Sequence, residues 1–157
     1  TSAEEAGLLG ARAFVRNTPV PLDRIVAAFN FDMMAVAPAG SPLGFIGRGA
    51  TPLDQVILDE VAKRGRVIGD QSLADSFLQR QDGWVLLQKG VPTVLLSSTY
   101  GSRKVLDPFL ASRYHRAGDE AEVVELGGAI DDLLLHEALI RQLADPARYS
   151  PPAAVAP

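Results

Sequence analysis

Arg24-Ile-Val-Ala-Ala-Phe-Asn-Phe-Asp-Met-Met34 is a nearly continuous apolar run that holds one carboxylate, Asp32, toward its C-terminal end. A strand with one wet face alternates apolar and polar residues, whereas a run that is apolar at both parities is expected of a strand covered on both faces. Val91-Pro-Thr-Val-Leu-Leu-Ser-Ser98 reads the same way. Between these runs, the stretch to Ala50 is rich in Gly, Pro and Ala and reads as loop, with Phe45-Ile46 as a short strand fragment.

Helical patterns surround the strands. Ala6 to about Asn17 places Leu8, Leu9, Ala13 and Phe14 at helical spacing and is stopped by Thr18-Pro19-Val20-Pro21. Thr51-Pro52-Leu53-Asp54 supplies a capping Thr, a Pro at the first helical position and an acid in the first turn. Val56, Ile57, Val61 and Ala62 then form a buried face, and the helix ends near Gly65. Val67 to Gln81 is mixed, and Asp82 to Gly90 resembles a short helix closed by its Gly. Tyr100 to Glu120 reads as a long polar connection. From about Leu126 to Ala144, Ile130, Leu133, Leu134, Ala138, Leu139 and Leu143 make a helical stripe, stopped by Asp145-Pro146. Helices alternating with apolar strands predict an α/β domain over residues 1–145, a mainly parallel sheet flanked by helices, followed by a frayed Pro/Ala-rich tail over 146–157.

Composition narrows the function. The 157 residues are 47% hydrophobic and 22% charged, enough for one domain with a core. A net charge of -4 argues against nucleic acid, which needs clustered Lys and Arg; Lys63-Arg64-Gly65-Arg66 is short and reads as a helix C-terminus. No apolar run is long enough to cross a bilayer, and these residues are not expected to include a signal peptide. The absence of Cys removes disulfides, thiolate metal sites and cysteine nucleophiles.

Chemistry concentrates at four points. Glu4 and Glu5 read as the junction between the end of a buried strand and the helix that begins near Ala6, whose free amides would face them. Asp32 is a carboxylate inside an apolar strand, which is costly unless paired or metal-bound. His115 stands in the long connection beside Tyr114. In an open α/β sheet, ligands bind beyond the carboxyl ends of the strands, so these groups are expected to meet in one crevice. Carboxylates and imidazole suit Zn²⁺, and a carboxylate beside a ligand can act as general base. His136 falls in the last helical stripe and reads as a partly buried or surface histidine, Trp84 as a core residue, and Met33-Met34 as core filler.

In four ordered segments the sequence resembles the zinc-dependent aminopeptidases of family M28, which share a phosphorylase/hydrolase-like α/β fold. Thr1-Ser-Ala-Glu-Glu-Ala-Gly-Leu-Leu-Gly10 is similar to the family's Glu-Glu segment, and Asn30-Phe-Asp-Met-Met34 to the strand that carries a ligand Asp. Asp82 through Gly90-Val-Pro-Thr-Val94 resembles the segment leading into its Gly-Ile/Val-Pro strand, and Tyr114-His-Arg-Ala-Gly-Asp119 its Tyr-His-x-x-x-Asp loop. The resemblance implies that Glu4 is the general base, that Glu5, Asp32 and His115 bind zinc, and that Tyr114 donates to the oxyanion formed from the scissile carbonyl. It implies hydrolysis of N-terminal peptide bonds at a two-zinc centre, with a peptide as the partner and export to the periplasm or beyond the cell. The Cys-free composition is also compatible with the cytosol.

The pattern departs from the family in one large respect. A His and a metal-bridging Asp from a His-x-Asp segment upstream of the Glu-Glu turn have no counterpart here. The chain therefore reads as the C-terminal part of a catalytic domain, incomplete at its N-terminus, holding one zinc or none and inactive alone. Its exposed strand edges are expected to pair with a second copy or with the missing N-terminal part. A glutaminyl cyclase-like enzyme and a non-catalytic binding or assembly lobe are the alternatives on the same scaffold. Before the short helix, Gln81-Asp82-Gly83-Trp84 stands where the family often has Ser-Asp-His, which leaves Asp82 as a weak candidate for a supporting role.

Overall fold

The computed structural model describes residues 1–151. Three strands, β1 (Ala28–Asn30), β2 (Gly44–Ile46) and β3 (Thr93–Ser97), form a sheet in the order β1-β3-β2. β3 runs parallel to β1, with Ala28 opposite Thr93, and antiparallel to β2, with Phe45 opposite Leu96. The domain is α/β as expected, but the sheet is mixed, with one parallel and one antiparallel pairing.

Successive side chains of a strand point to opposite faces, and the two core clusters follow that alternation. Val94 and Leu96 of β3 join Phe45 on one face, packed against Leu53, Ile57, Leu135 and Leu139. Leu53 leads into α2 (Asp54–Lys63), which supplies Ile57, and Leu135 and Leu139 come from α6 (Gly127–Leu143). Leu95 and Ile46 point to the other face, against Leu73 of α3 (Gln71–Asp75), Tyr100, and Leu106 and Phe109 of α5 (Arg103–Ser112). Each such aliphatic side chain contributes about 1.5–3 kcal/mol by leaving water. A smaller cluster of Leu8, Ala11 and Val85 joins α1 (Leu9–Arg16) to α4 (Gly83–Leu87), with Trp84 against it as a packing residue.

Several expectations are corrected. The connection from Tyr100 to Glu120 contains α5: Leu106 and Phe109 bury one face of a helix that Ser102 caps by accepting from the Lys104 amide. Pro108 inside α5 hides that helical pattern in the sequence. β1 lies at the edge of the sheet and is only partly buried, and it ends at Asn30, so Asp32 lies two residues beyond the strand. Thr51 does not cap α2; its hydroxyl accepts from the Leu53 amide in the preceding turn. Residues 146–151 of the expected frayed tail fold back, with the Arg148 and Tyr149 amides donating to the Asp145 carbonyl and Tyr149 packed against the core. The rest of the tail, 152–157, lies outside the described residues.

The buried stripe of α6 also differs from the expected one. Ile130, Leu133 and Leu134 are exposed, whereas Asp132 and His136 are buried together with Leu135, Leu139 and Leu143. Polar hydrogen bonding sets this rotation. Asp132, with no exposed surface, accepts from Arg66 Nη2 at 2.8 Å, from the Ser98 amide at 2.7 Å and from the Ser98 hydroxyl at 2.8 Å. His136 is buried rather than at the surface: its Nδ1 donates to the Asp132 carbonyl at 2.7 Å, and its ring lies against Phe29 and Phe31.

Removing one partner of a buried ion pair leaves the other charge stranded, so Asp132→Ala is expected to lower unfolding free energy by about 3–5 kcal/mol in urea titration. Burial pushes His136 below its ordinary value, an effect that outweighs the raising influence of the Asp132 contacts; the Arg66 charge lowers it further. The unfolded chain then accepts a proton that the folded chain resists. Stability is expected to fall as pH drops below about 6.5, until folded His136 itself protonates, and a His136→Gln variant to show a flatter profile over that interval.

Candidate functional site

The Glu-Glu segment is built from backbone turns. Residues 2–8 form turns and bends, and α1 starts at Leu9, three residues later than the expected start near Ala6. The Leu9 and Gly10 amides donate to the carbonyls of Ala3 and Ser2, so two amides of the first helical turn are already satisfied and do not face the carboxylates. The dipole account of Glu4 and Glu5 is corrected accordingly. A Cβ on Gly10 would lie 2.7 Å from the Ser2 nitrogen and 2.8 Å from the Thr1 Cβ, so the return of the turn over α1 depends on glycine there.

Glu5 joins the first and last parts of the site. Its Oε1 accepts from the Tyr114 hydroxyl at 3.1 Å and lies 3.0 Å from Nε2 of His115. The Tyr114 and His115 rings are stacked, with centroids 3.9 Å apart. Glu4, Glu5, Asp32, Tyr114 and His115 line one cleft of about 90 Å³, together with residues that sequence reasoning did not single out, notably Arg80 and Tyr100. The expectation of a shared crevice is met for all of them. Tyr100 is nearly fully buried and donates to Asp32 Oδ2 at 3.4 Å, a long contact. Its position just after the apolar strand β3 was the available sequence signal, since strand ends are where α/β sites collect side chains.

Backbone strain gathers in the same segments. Among the described residues, the non-glycine positions with positive φ are Ala3, Leu8, Met33 and His115. These flank Glu4 and Glu5, follow Asp32 directly, and include the candidate ligand itself. Such conformations cost about 1–3 kcal/mol each and persist where the surrounding structure enforces them, which happens most often at functional sites.

Electrostatics point the same way. Glu4 is held above its ordinary value first by burial and then by the charges of Glu5, Asp32 and Asp82, with Arg80 opposing. Asp32 is raised by burial and by Asp82 and Glu5, against the hydrogen bonds from Tyr100 and the Met33 backbone, which lower it. Burial raises Tyr114, and its bond to Glu5 adds to the effect; Tyr100 is pushed up strongly by burial and by Asp32. The crevice is thus a set of mutually repelling carboxylates beside two hydroxyls kept protonated, an arrangement that a cation would stabilise.

The donor types suit zinc, but their placement is that of a partial set. Glu5 and His115 meet, Asp32 shares the cleft, and no three His, Asp or Glu side chains among the described residues come together as a metal-binding group.

The model of Peptidase family M28 matches residues 1–133. The chain belongs to that family. Neither a curated protein nor a solved structure matches it. Family membership supports a peptidase function and implies a peptide substrate, and the match spans every segment that contributes to the cleft. No helix among the described residues is long and apolar enough to cross a membrane.

Gly10→Ala is expected to push residues 1–5 off α1 and to break the Glu5–Tyr114 contact, seen as a changed Tyr114 ring environment in NMR with the α6 core resonances unmoved. Unchanged Tyr114 resonances would show that the turn tolerates the methyl group.

Proposed function

We propose that the chain carries the base-bearing part of a zinc-dependent exopeptidase that hydrolyses N-terminal peptide bonds, with Glu4 as general base, Tyr114 as a donor to the developing oxyanion, and Glu5, Asp32 and His115 as zinc ligands. One observation carries the reading. In an M28 peptidase, Glu5 reaches across the fold to Tyr114 and His115, in a strained and acidic cleft that also holds Glu4 and Asp32.

Zinc, when bound, supplies Lewis acidity that acidifies water and polarises a carbonyl. The rest is the work of the chain's own residues. Glu4, raised by burial and by its acidic neighbours, is a stronger proton acceptor than an exposed glutamate. It takes a proton from the attacking water and returns it to the departing amine. Tyr114 keeps its proton throughout the neutral range and turns its hydroxyl toward the carboxylate cluster, where negative charge grows on the substrate oxygen.

Because the donors form only a partial set, the chain alone is expected to hydrolyse aminoacyl nitroanilides poorly, and a longer polypeptide that also carries a His-x-Asp segment to do so well. In that longer protein, Glu4→Gln should lower turnover by about 10²–10⁴-fold while zinc content, read by atomic emission, stays constant. Loss of zinc in that variant would exchange the roles of Glu4 and Glu5. The acidic limb of kcat/KM is expected to titrate above the ordinary glutamate value of 4.5 and to disappear in Glu4→Gln. The partial donor set also favours a second reading, a non-catalytic binding lobe, and absence of both zinc and turnover from the longer protein would select it.

A further inference from the structure

Among the side chains that line the acidic cleft of about 90 Å³ is one guanidinium, that of Arg80. Its Cζ lies 4.9 Å from the centroid of the Phe77 ring, and that ring packs in turn on Tyr100, with centroids 4.9 Å apart. Arg80, Phe77 and Tyr100 thus form one continuous part of the cleft wall. A cation over an aromatic face is attracted by the ring's quadrupole, which holds the planar fork of the arginine in place.

The turn that carries Arg80 is fixed on both sides. Its own amide donates to the Phe77 carbonyl at 3.0 Å. The next residue, Gln81, is 3% exposed; it donates to the Leu78 carbonyl at 3.2 Å and accepts from Asn30 Nδ2 at 2.8 Å and from the Gly83 amide at 2.7 Å. These bonds tie the turn to the end of β1 and to the start of α4. A Cβ at Gly83 would lie 2.6 Å from Gln81 Oε1 and 2.7 Å from Thr93 Cγ2, so this close packing requires glycine.

Arg80 is exposed, and no ion pair among the described residues includes it. Its charge nevertheless reaches Glu4, where it opposes the surrounding carboxylates. An arginine present only to balance those acids would pair with one of them. The five N–H donors of the fork match the two oxygens of a carboxylate. A phosphate ester, with a charge of about −1.5 to −2, is repelled by the neighbouring acids more strongly than a singly charged carboxylate.

We propose that Arg80 receives a carboxylate of the peptide substrate, either the acidic side chain of its first residue or the free C-terminus of a dipeptide, and so selects short acidic peptides. The inference rests on the peptidase reading above. Both carboxylates stand within about one residue of the first carbonyl, about 3.8 Å along an extended chain, which suits a small cleft that Glu4 and Tyr114 also line. A neutral amide in either place presents N–H groups to a guanidinium and forfeits the paired, charge-assisted bonds.

The test is NMR titration of the full chain near pH 7 with three dipeptides of one shape: Asn-Ala amide, which has no carboxylate, Asp-Ala amide, which has one on its first side chain, and Asn-Ala, which has one at its C-terminus. At least one acid is expected to bind about fivefold or more tightly than the neutral amide and to shift the Arg80 Nε–H signal, and which one does so identifies the carboxylate. Arg80→Gln is expected to reduce that preference to less than about twofold. Equal affinities for the three dipeptides overturn the proposal, as do a preference that survives in Arg80→Gln and failure of every dipeptide to bind below about 10 mM. Should the variant unfold, the wild-type Nε–H signal decides alone, moving with an acid and not with the neutral amide if the proposal holds, and with all or none if it fails. Turnover enters none of these readouts. Acid-selective binding without hydrolysis in the longer protein would reject the peptidase reading and leave the Arg80 contact standing, whereas hydrolysis alongside equal affinities would reject the Arg80 contact alone.

Discussion

The carboxylate of Asp132 is the constraint on which the rest of the structure depends. Fully buried on α6, it holds the Arg66 guanidinium and both the amide and the hydroxyl of Ser98 at the end of β3. A buried charge is tolerated only when its lone pairs are filled, so helix, strand end and the segment after α2 are fixed relative to one another. The next residues inherit that placement. Thr99 donates its hydroxyl to the Met33 carbonyl, and Tyr100 points its own at Asp32. A network on the α6 side of the sheet thus aims a residue of the carboxylate-lined cleft on the other.

That cleft has the opposite electrostatic character. Around Asp132 the facing charge is the opposite one of Arg66, whereas Glu4, Glu5, Asp32 and Asp82 act on one another across a partly buried crevice, with Arg80 as the opposing charge in the lining. For Glu4 and Asp32, desolvation and like-charge repulsion both favour protonation or the arrival of a cation. The positive-φ backbone at Ala3, Leu8, Met33 and His115 shows that the fold accepts local strain to keep these groups converged.

Much of this was legible in the residues themselves. Val91–Ser98 announces β3 because a strand with two covered faces has no polar parity to show, and Gly90 marks the end of α4 because its φ is positive. Glu4, Glu5, Asp32, Tyr114 and His115 were marked by residue type and order along the chain, and they do line one cleft. α5 was hidden because Pro108 interrupts its pattern, and the polar stripe of α6 because hydropathy ranks Asp132 and His136 as surface residues. Tyr100 carried no motif at all.

Sequence alone determined the α/β class, the family and the identity of the acidic and imidazole groups, since these depend on local periodicity and on residue types in order. Tertiary structure decided what those groups touch. It set the mixed pairing of the sheet, the contacts of Glu5 with Tyr114 and His115 over 109 and 110 positions of chain, and the partial donor set. Such contacts depend on how distant segments pack and on which buried polar atoms find partners, and neither is encoded in any single stretch of the chain.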